Sequence, residues 1–530
     1  MRESGAQDVN ALGDRHLRGD RAGRLTDRDA TKRGRVAIVA DESATNTLAG
    51  QRTLWMAANL LARQYGMVHE LVIAVSEAPL LEGAAYFGAA STLGECLERT
   101  ANSINPTIQV TLLGKSHGET DTTEFVLQVG PKGDARIAGL EVLPVWGSGW
   151  TAAAGVAVSD MAESALGQCD DRNPIGSYFA ASLGAGEAFK QLWGLRPGRG
   201  TYIESLVISL WTCERYESFA DAPAGPAIDG LVLPPAYLIG VGAVGQAFVA
   251  TIASSGARGH VTPIDPETID DTNRNRYVLV TKNERGAKVD IATSILKLAG
   301  FTVFPYQGAW PRYAYDLPHR DQREDLQRLE SEHKYEWVIS AVDKNVHRHA
   351  IQKFWPRHLL GGSTDDFLIQ VSAYDMSSPF ECLMCRNPPE LPSDTIENLA
   401  NRLEEMSIEE RGRVLRAEGL DVASVEEFLR TRKCGEAGEQ ELVRFANRPS
   451  VADFSVGFVS VASGVLLAAQ FLKVAMAGGD VRDAFPAELG HTLRFSFVYP
   501  DSLDFSMHQR RDDCTCCSIG RSVYRDLWNE

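Results

Sequence analysis

The sequence predicts an α/β protein made of two tandem domains, each a doubly wound and mostly parallel sheet, with a helical insertion in the second and a tail held by cysteines. Three observations carry this prediction. Alternating apolar strand and helix patterns begin at Arg35 and again at Ala236, a G-x-G-x-x-G turn falls at Gly240, Gly242 and Gly245, and two C-x-x-C pairs lie far apart in the chain. The 530 residues suffice for two or three domains, and 44% hydrophobic content supplies their cores. With 53 Lys and Arg against 70 Asp and Glu, the formal charge of −17 argues against nucleic acid or an anionic membrane as a partner. The start, MRESGAQDVN, lacks the apolar core of a signal peptide, and no run of about 18 apolar residues is expected to span a membrane, so the expected location is cytoplasmic.

Residues 1–34 contain many Arg, Asp and Gly and no Phe, Tyr or Trp, the composition of a flexible leader. From Arg35 the chain reads as strand (Val36–Val39), helix (Gln51–Gln64) and strand (Glu70–Val75), which implies parallel pairing. The turn after the first strand is Ala40-Asp41-Glu42-Ser43, acidic where a phosphate would lie, so this half is expected to bind no nucleotide. Asn173-Pro174-Ile175-Gly176 opens an alanine-rich helix, and Pro449-Ser450 opens another like it in the second half. One such helix per half indicates an internal duplication: a degenerate half over 35–222, a linker at 223–230 within a Pro/Ala/Gly-rich stretch, and a competent half over 231–530. Cys96, Cys169 and Cys213 read as small hydrophobes.

In the second half, Tyr237–Ile239 is β-prone, the glycine turn follows, and an alanine-rich helix runs to Ser255. The first glycine permits the turn, the second lets a phosphate approach the backbone, and the third lets helix and strand pack closely, with the phosphate on the unpaired N–H groups of the helix start. Asp265 lies 20 positions after Gly245, at the end of the strand His260–Ile264, placed to accept from a ribose hydroxyl. This describes a Rossmann-like nucleotide site. A strand over Glu336–Ala341 then ends near Asp343, which would point into the crevice where such sheets bind ligand, or else cap the next helix. Lys288 stands at the start of a helix over Val289–Leu298 and is otherwise an ordinary exposed lysine.

Cys382 and Cys385, with Cys514 and Cys517, supply four thiolates for a tetrahedral, closed structural Zn²⁺ site; Cys516 could replace a neighbour, and a redox cluster is the competing reading. Between the pairs lies an insertion over about 387–448, rich in Glu, Arg and Leu at helical spacing.

Asp265-x-Glu267 followed by Thr272-Asn273-Arg274-Asn275-Arg276 resembles the D-x-D…S-N-L-x-R-Q signature of the ThiF/MoeB/HesA and ubiquitin-activating enzyme superfamily, which adenylates C-terminal carboxylates. The likeness covers 231–530 well and 35–222 loosely, as in bacterial activators of ubiquitin-like proteins with a fused inactive adenylation half. It implies ATP and Mg²⁺ as cofactors, often with a structural zinc. By resemblance, Asn273, Arg276 and Lys288 contact phosphate and Asp343 is linked to Mg²⁺. The run Asp343-Lys344-Asn345-Val346-His347-Arg348 departs from the family's D-N…R element by one lysine, which weakens the match for Asn345 more than for Asp343. Thr431 to Gly438 contains Cys434-Gly-Glu-Ala-Gly, matching the C-x-x-A-G run that holds the catalytic cysteine in bacterial members, and Arg432 and Lys433 would favour its thiolate.

The resemblance therefore implies an enzyme that adenylates a ubiquitin-like protein, transfers it to Cys434 as a thioester and hands it to a conjugating enzyme, in bacterial antiviral defence by analogy. A sulfur-carrier adenylyltransferase of the MoeB or ThiF kind is the nearest rival. An NAD-dependent oxidoreductase would use Asp265 but leave Arg276, Lys288 and Asp343 without a role, and a noncatalytic scaffold would leave all of them idle. Family members complete the ATP site with an arginine from the opposite half, for which Arg35 and Arg52 are candidates, in a homodimer or in a pseudo-dimer within one chain.

Overall fold

The structure, a computed structural model, describes residues 25, 33–113, 123–132, 137, 141–162, 166, 172–316, 334–378, 380–387, 396–417, 420–431, 438, 442, 456–480, 491–512 and 514–529. Two eight-stranded sheets organise the larger unit, residues 1–387 and 454–530. The first sheet holds β1 (Gly34–Ala40), β2 (Val68–Val75), β3 (Gln109–Leu112), β4 (Phe125–Val129), β5 (Val142–Ser148), β6 (Thr151–Gly155), β7 (Ser205–Ser209) and β8 (Glu214–Arg215). Its order is β3-β2-β1-β4-β5-β6-β7-β8, parallel as far as β5 and antiparallel beyond.

The second sheet repeats this order strand for strand. It holds β9 (Ala236–Ile239), β10 (His260–Ile264), β11 (Thr302–Val303), β12 (Trp337–Ser340), β13 (His358–Asp365), β14 (Leu368–Tyr374), β15 (Thr492–Ser496) and β16 (Asp504–Ser506). They run β11-β10-β9-β12-β13-β14-β15-β16, with the change from parallel to antiparallel again after the fifth strand. The expected duplication is thus present at the level of topology. Strand order reverses between β1 and β4 and between β9 and β12, and such a switch point opens a crevice at the carboxyl ends of the two strands.

Helix α1 (Leu48–Ala62) follows β1 and starts three residues earlier than the sequence pattern suggests, because Thr47 caps it by accepting from the Gly50 amide at 3.0 Å. The long helices α2 (Ile175–Trp193) and, after α3 (Ala243–Ser254) and α4 (Lys288–Leu298), the later α8 (Gly457–Met476) are the alanine-rich pair seen in the sequence. They pack on each other, and α8 packs on α3. Gly464 makes that second crossing close: a Cβ there would lie 2.4 Å from the Ala247 Cβ and 2.6 Å from the Val244 carbonyl oxygen. Phe179 meets Phe495 at 5.5 Å and Phe189 meets Phe458 at 5.4 Å, so aromatic rings of the two halves share one continuous core. Helix α8 is long and apolar enough to cross a membrane, which the sequence reading did not anticipate, but 94% of its apolar window is buried inside the protein. Its composition is that of a core helix.

His358, at the start of β13, stacks against Trp337 with ring centroids 4.1 Å apart. Burial, reinforced by Arg357, lowers its pKa from 6.5 to about 4. Between those values the unfolded chain binds a proton that the folded one refuses, so stability falls as the pH drops through that window, by about 3 kcal/mol in all. Urea titrations at pH 7 and pH 4.5 should show this acid-induced loss shrinking by about 2 kcal/mol or more in His358→Gln.

Residues 388–453 form a second, smaller unit. Helices α5 (Ile396–Glu405), α6 (Ile408–Ala417) and α7 (Val422–Thr431) enclose their own apolar core, including Leu403, Leu415, Val425 and Phe428. Arg411 holds it together with a fork onto Glu426, at 2.6 and 2.7 Å, and a bond to the Leu403 carbonyl.

Candidate functional site

The glycine turn joins β9 to α3 at the switch point of the second sheet. Gly240 has φ +92°, and a Cβ there would lie 2.7 Å from the Ala341 carbonyl oxygen, on the loop leaving β12. At Gly245 a Cβ would lie 2.2 Å from the Gly240 carbonyl oxygen, so only glycine lets helix and strand approach this closely. Gly242 caps α3 with no side-chain bond. The equivalent turn after β1 differs: the Asp41 carboxylate accepts from the Ser43 and Ala44 amides at 3.0 and 3.4 Å. A carboxylate of the chain itself thus occupies the amides that follow β1, at the start of a four-residue helical turn (Glu42–Thr45), whereas no side chain caps the start of α3.

Asp265 follows β10 and is 6% exposed, its Oδ2 accepting from the Val241 amide at 2.7 Å and its Oδ1 from the Glu267 amide at 2.8 Å. It braces the glycine turn, and lone pairs remain for a further donor. Burial lifts its carboxyl above the ordinary range, against the pull of Lys288. Lys288 is 4% exposed at the start of α4 and bonds the Glu267 carboxylate. Burial alone would lower its pKa, but Tyr277, Asp265 and Glu267 outweigh that and raise it, so the ammonium is charged at neutral pH.

Tyr277 links these groups. Its ring carries the Lys288 ammonium on one contact and the Arg276 guanidinium on another, each 5.1 Å from the centroid. Its hydroxyl is the nearest atom to an imagined Cβ on Gly242, at 3.6 Å. Arg276 also donates to the Thr272 carbonyl and the Asn275 side chain, both at 2.9 Å. Asn273 is buried and accepts from the Asp270 amide at 2.9 Å, closing a capping box that shapes the loop. The structure therefore gathers Asp265, Glu267, Arg276 and Lys288 with the glycine turn, and adds Tyr277, which carries no family signature in the sequence.

The first half reaches this loop through Arg63, at the end of α1. Its guanidinium is 1% exposed and donates to the carbonyls of Arg274 (2.6 Å), Val278 (3.0 Å) and Val280 (2.9 Å), with Asn59 accepting from its Nε at 2.7 Å. Burial pulls its pKa down to about 9, leaving it charged at neutral pH. The two arginines suggested by the sequence are tied elsewhere. Arg35 pairs with Glu70 at 3.2 Å, and Arg52 donates to Gly83, Arg172 and Ser254 carbonyls, the last at the far end of α3 from the glycine turn.

Asp343 leaves β12 at the carboxyl end and is exposed. It borders a cavity of about 440 Å³ on the antiparallel side of the switch point, lined also by Arg348, Gln370, Arg386 and Arg494. Behind Arg386, the Sγ atoms of Cys382, Cys385, Cys514 and Cys517 lie within 4.8 Å of one another, all buried. Two of the S–S distances, Cys382 to Cys385 and Cys382 to Cys514, are 3.8 Å, the edge of a tetrahedron with about 2.3 Å metal–sulfur bonds. The Cys385 amide points at Cys382 Sγ (3.4 Å) and the Arg511 amide at Cys385 Sγ (3.5 Å), bonds that favour thiolate. The donor set fits Zn²⁺, with buried Cys516 beside it. Cys434, with Arg432 and Lys433, lies outside the described residues.

No family model matches the sequence. The uncharacterized protein y4jF of Sinorhizobium fredii is 25% identical over 360 residues, covering 67% of this chain. The chain spans 60% of the length of that relative. Among solved structures, E. coli MccB with MccA-N7isoASN aligns over 53% of this chain and 66% of its own, at 13% identity and a TM-score of 0.35. E. coli MccB with ATP aligns over 54% and 67%, at 14% identity and a TM-score of 0.34. Similarity at this level assigns no activity to the chain.

Proposed function

We propose that the protein is an ATP- and Mg²⁺-dependent activating enzyme that adenylates the C-terminal carboxylate of a ubiquitin-like protein and carries it as a thioester on Cys434 for a conjugating enzyme. The observation that supports it most is the helix start at Gly242, which no side chain caps and beside which Tyr277 lies with Arg276 and Lys288 on its ring, next to a first half whose own turn is closed by Asp41. Cations around an anion-binding turn suit triphosphate, and the sequence from Asp265 to Arg276 resembles the signature of adenylating enzymes.

A carboxylate is already a nucleophile, so the first step needs no general base. Its oxygen attacks the α-phosphorus, the bond to the β-phosphate oxygen breaks, and pyrophosphate leaves. Arg276 and Lys288 would bind and orient phosphate oxygens, Lys288 exchanging its bond to Glu267 for one to phosphate. Asn273 shapes the loop that carries Arg276, and Asp265 with Glu267 would face the ribose. Asp343 would hold Mg²⁺, which when bound neutralises charge on the leaving pyrophosphate. In the second step the Cys434 thiolate attacks the acyl carbon and AMP leaves. The four cysteines 382, 385, 514 and 517 would hold a structural Zn²⁺ that takes no part in these steps.

The test is incubation with a panel of candidate ubiquitin-like proteins, ATP and Mg²⁺, read on a nonreducing gel. A thiol-sensitive adduct that needs ATP and is missing in Cys434→Ala is the expected result. Pyrophosphate exchange without an adduct in any combination would replace the thioester step with the sulfur-carrier alternative.

A further inference from the structure

The start of α3 faces a hydrogen-bond donor that the chain itself does not use. The ring of Tyr277 packs with Ile269 and Val280 and against Ala243, the first residue of α3, and the residue is 4% exposed. Its hydroxyl lies 3.6 Å from the place a Cβ would take on Gly242, the one contact there within 4 Å among the described residues once the chain neighbours are set aside. The two cations on its ring, Lys288 and Arg276, stand 5.1 Å from the centroid, and both are donors only, so neither can take the phenol proton. No other acceptor for that proton is found among the described residues. A buried hydroxyl that leaves its proton unpaired costs free energy, and an acceptor from outside the chain would recover it.

The phenol is aimed before any ligand arrives. The Tyr277 amide donates to the Asn273 carbonyl at 2.9 Å, the Val280 amide donates to the Tyr277 carbonyl at 3.0 Å, and Arg63 holds the carbonyls of Val278 and Val280 from the first half. With backbone and ring both held, the hydroxyl is a preorganised donor. Gly242 is the glycine at which a phosphate approaches the backbone, so a phosphate there would meet the first amides of α3 on one side and this hydroxyl on another. We propose that the Tyr277 hydroxyl donates to an oxygen of the ATP phosphate seated at the start of α3, which makes Tyr277 a phosphate-binding residue beside Arg276 and Lys288. Its neutral O–H supplies a directed bond where an ammonium acts as a point charge. This rests on the adenylation reading above and adds to it a residue outside the sequence signature.

The test compares the full chain with Tyr277→Phe, which keeps the ring beside Arg276 and Lys288 and removes only the oxygen. Binding of MgATP is measured by calorimetry, binding of adenosine by competition with MgATP, and stability by urea titration. The variant should bind MgATP at least about tenfold more weakly, the loss expected for one hydrogen bond to a charged acceptor. Its affinity for adenosine should be unchanged, and its urea midpoint should not fall, because the proton has no acceptor in the chain to lose. MgATP binding that is unchanged in Tyr277→Phe, or MgATP and adenosine weakened by the same factor, overturns the proposal. No binding of MgATP by the wild-type protein overturns it together with the adenylation reading. Binding that depends on Tyr277 without pyrophosphate exchange on any tail would keep the phosphate contact and reject adenylation; exchange and MgATP binding both indifferent to Tyr277→Phe would keep adenylation and reject the contact.

Discussion

Cys385→Ser should abolish binding of about one equivalent of Zn²⁺ and cost the protein its ordered C-terminal tail. Structural zinc sites contribute about 10–16 kcal/mol of apparent binding energy in small peptides, more than most domains have in total stability. The tail depends on the cluster for more than the metal. Arg521, a few residues after Cys517, donates to the Met376 carbonyl at 2.8 Å, and Trp528 donates to the Trp355 carbonyl at 2.8 Å. A Cβ at Gly520 would fall 1.6 Å from the Trp355 ring, so the chain passes too close for any other residue. Without metal, four thiols packed at this spacing would lose the bonds that hold the turn over Trp355. Metal analysis of the purified protein and thermal unfolding with and without a chelator check this. A wild-type protein that carries no zinc and melts unchanged in chelator, but shifts with reductant, would replace the metal with the redox reading.

Arg63→Ala should destabilise the protein by at least about 3 kcal/mol and weaken ATP binding at the same time. The Arg274 and Val280 carbonyls lose their side-chain donor, the Val278 carbonyl keeps only Asn59 Nδ2 at 3.0 Å, and an unsatisfied buried group costs about 1–3 kcal/mol. All three belong to the segment Arg274–Val280, which carries Arg276 and Tyr277. The expected result is a lower urea midpoint and a weaker ATP Kd. Arg63→Lys should recover little of either, because one ammonium cannot reproduce a planar fork aimed at carbonyls on different turns. An ATP Kd unchanged by Arg63→Ala in protein that remains folded would mean that the loop holds its shape without the first half.

These two sites show where the sequence was legible. The glycine spacing, the paired C-x-x-C runs and the alanine-rich helices are local patterns, each set by close approach of backbone, by ligand geometry or by helix packing. They were enough to anticipate two doubly wound sheets and the meeting of cysteines 132 residues apart. The cap at Thr47 was missed because one threonine before a helix competes with the stronger apolar period. Arg63, Tyr277, Arg386 and Arg494 were missed for a different reason: each acquires its partners through contacts that no spacing encodes. Arg63 reaches across 211 residues to Arg274, and Arg494 meets Gln370 only because β14 and β15 pair in that register. Arg35 and Arg52 were plausible from position alone, yet their partners lie within the first half and at the remote end of α3.

ATP–pyrophosphate exchange, measured with a substrate tail and compared with Lys288→Ala, tests the central claim most directly. The account expects exchange that requires Mg²⁺ and a free C-terminal carboxylate, disappears when that carboxylate is amidated, and falls by about 10²–10³ in the variant, the loss typical of removing one donor aimed at a developing anion. Exchange that is absent with every tail tried, or that is indifferent to Lys288, would contradict it.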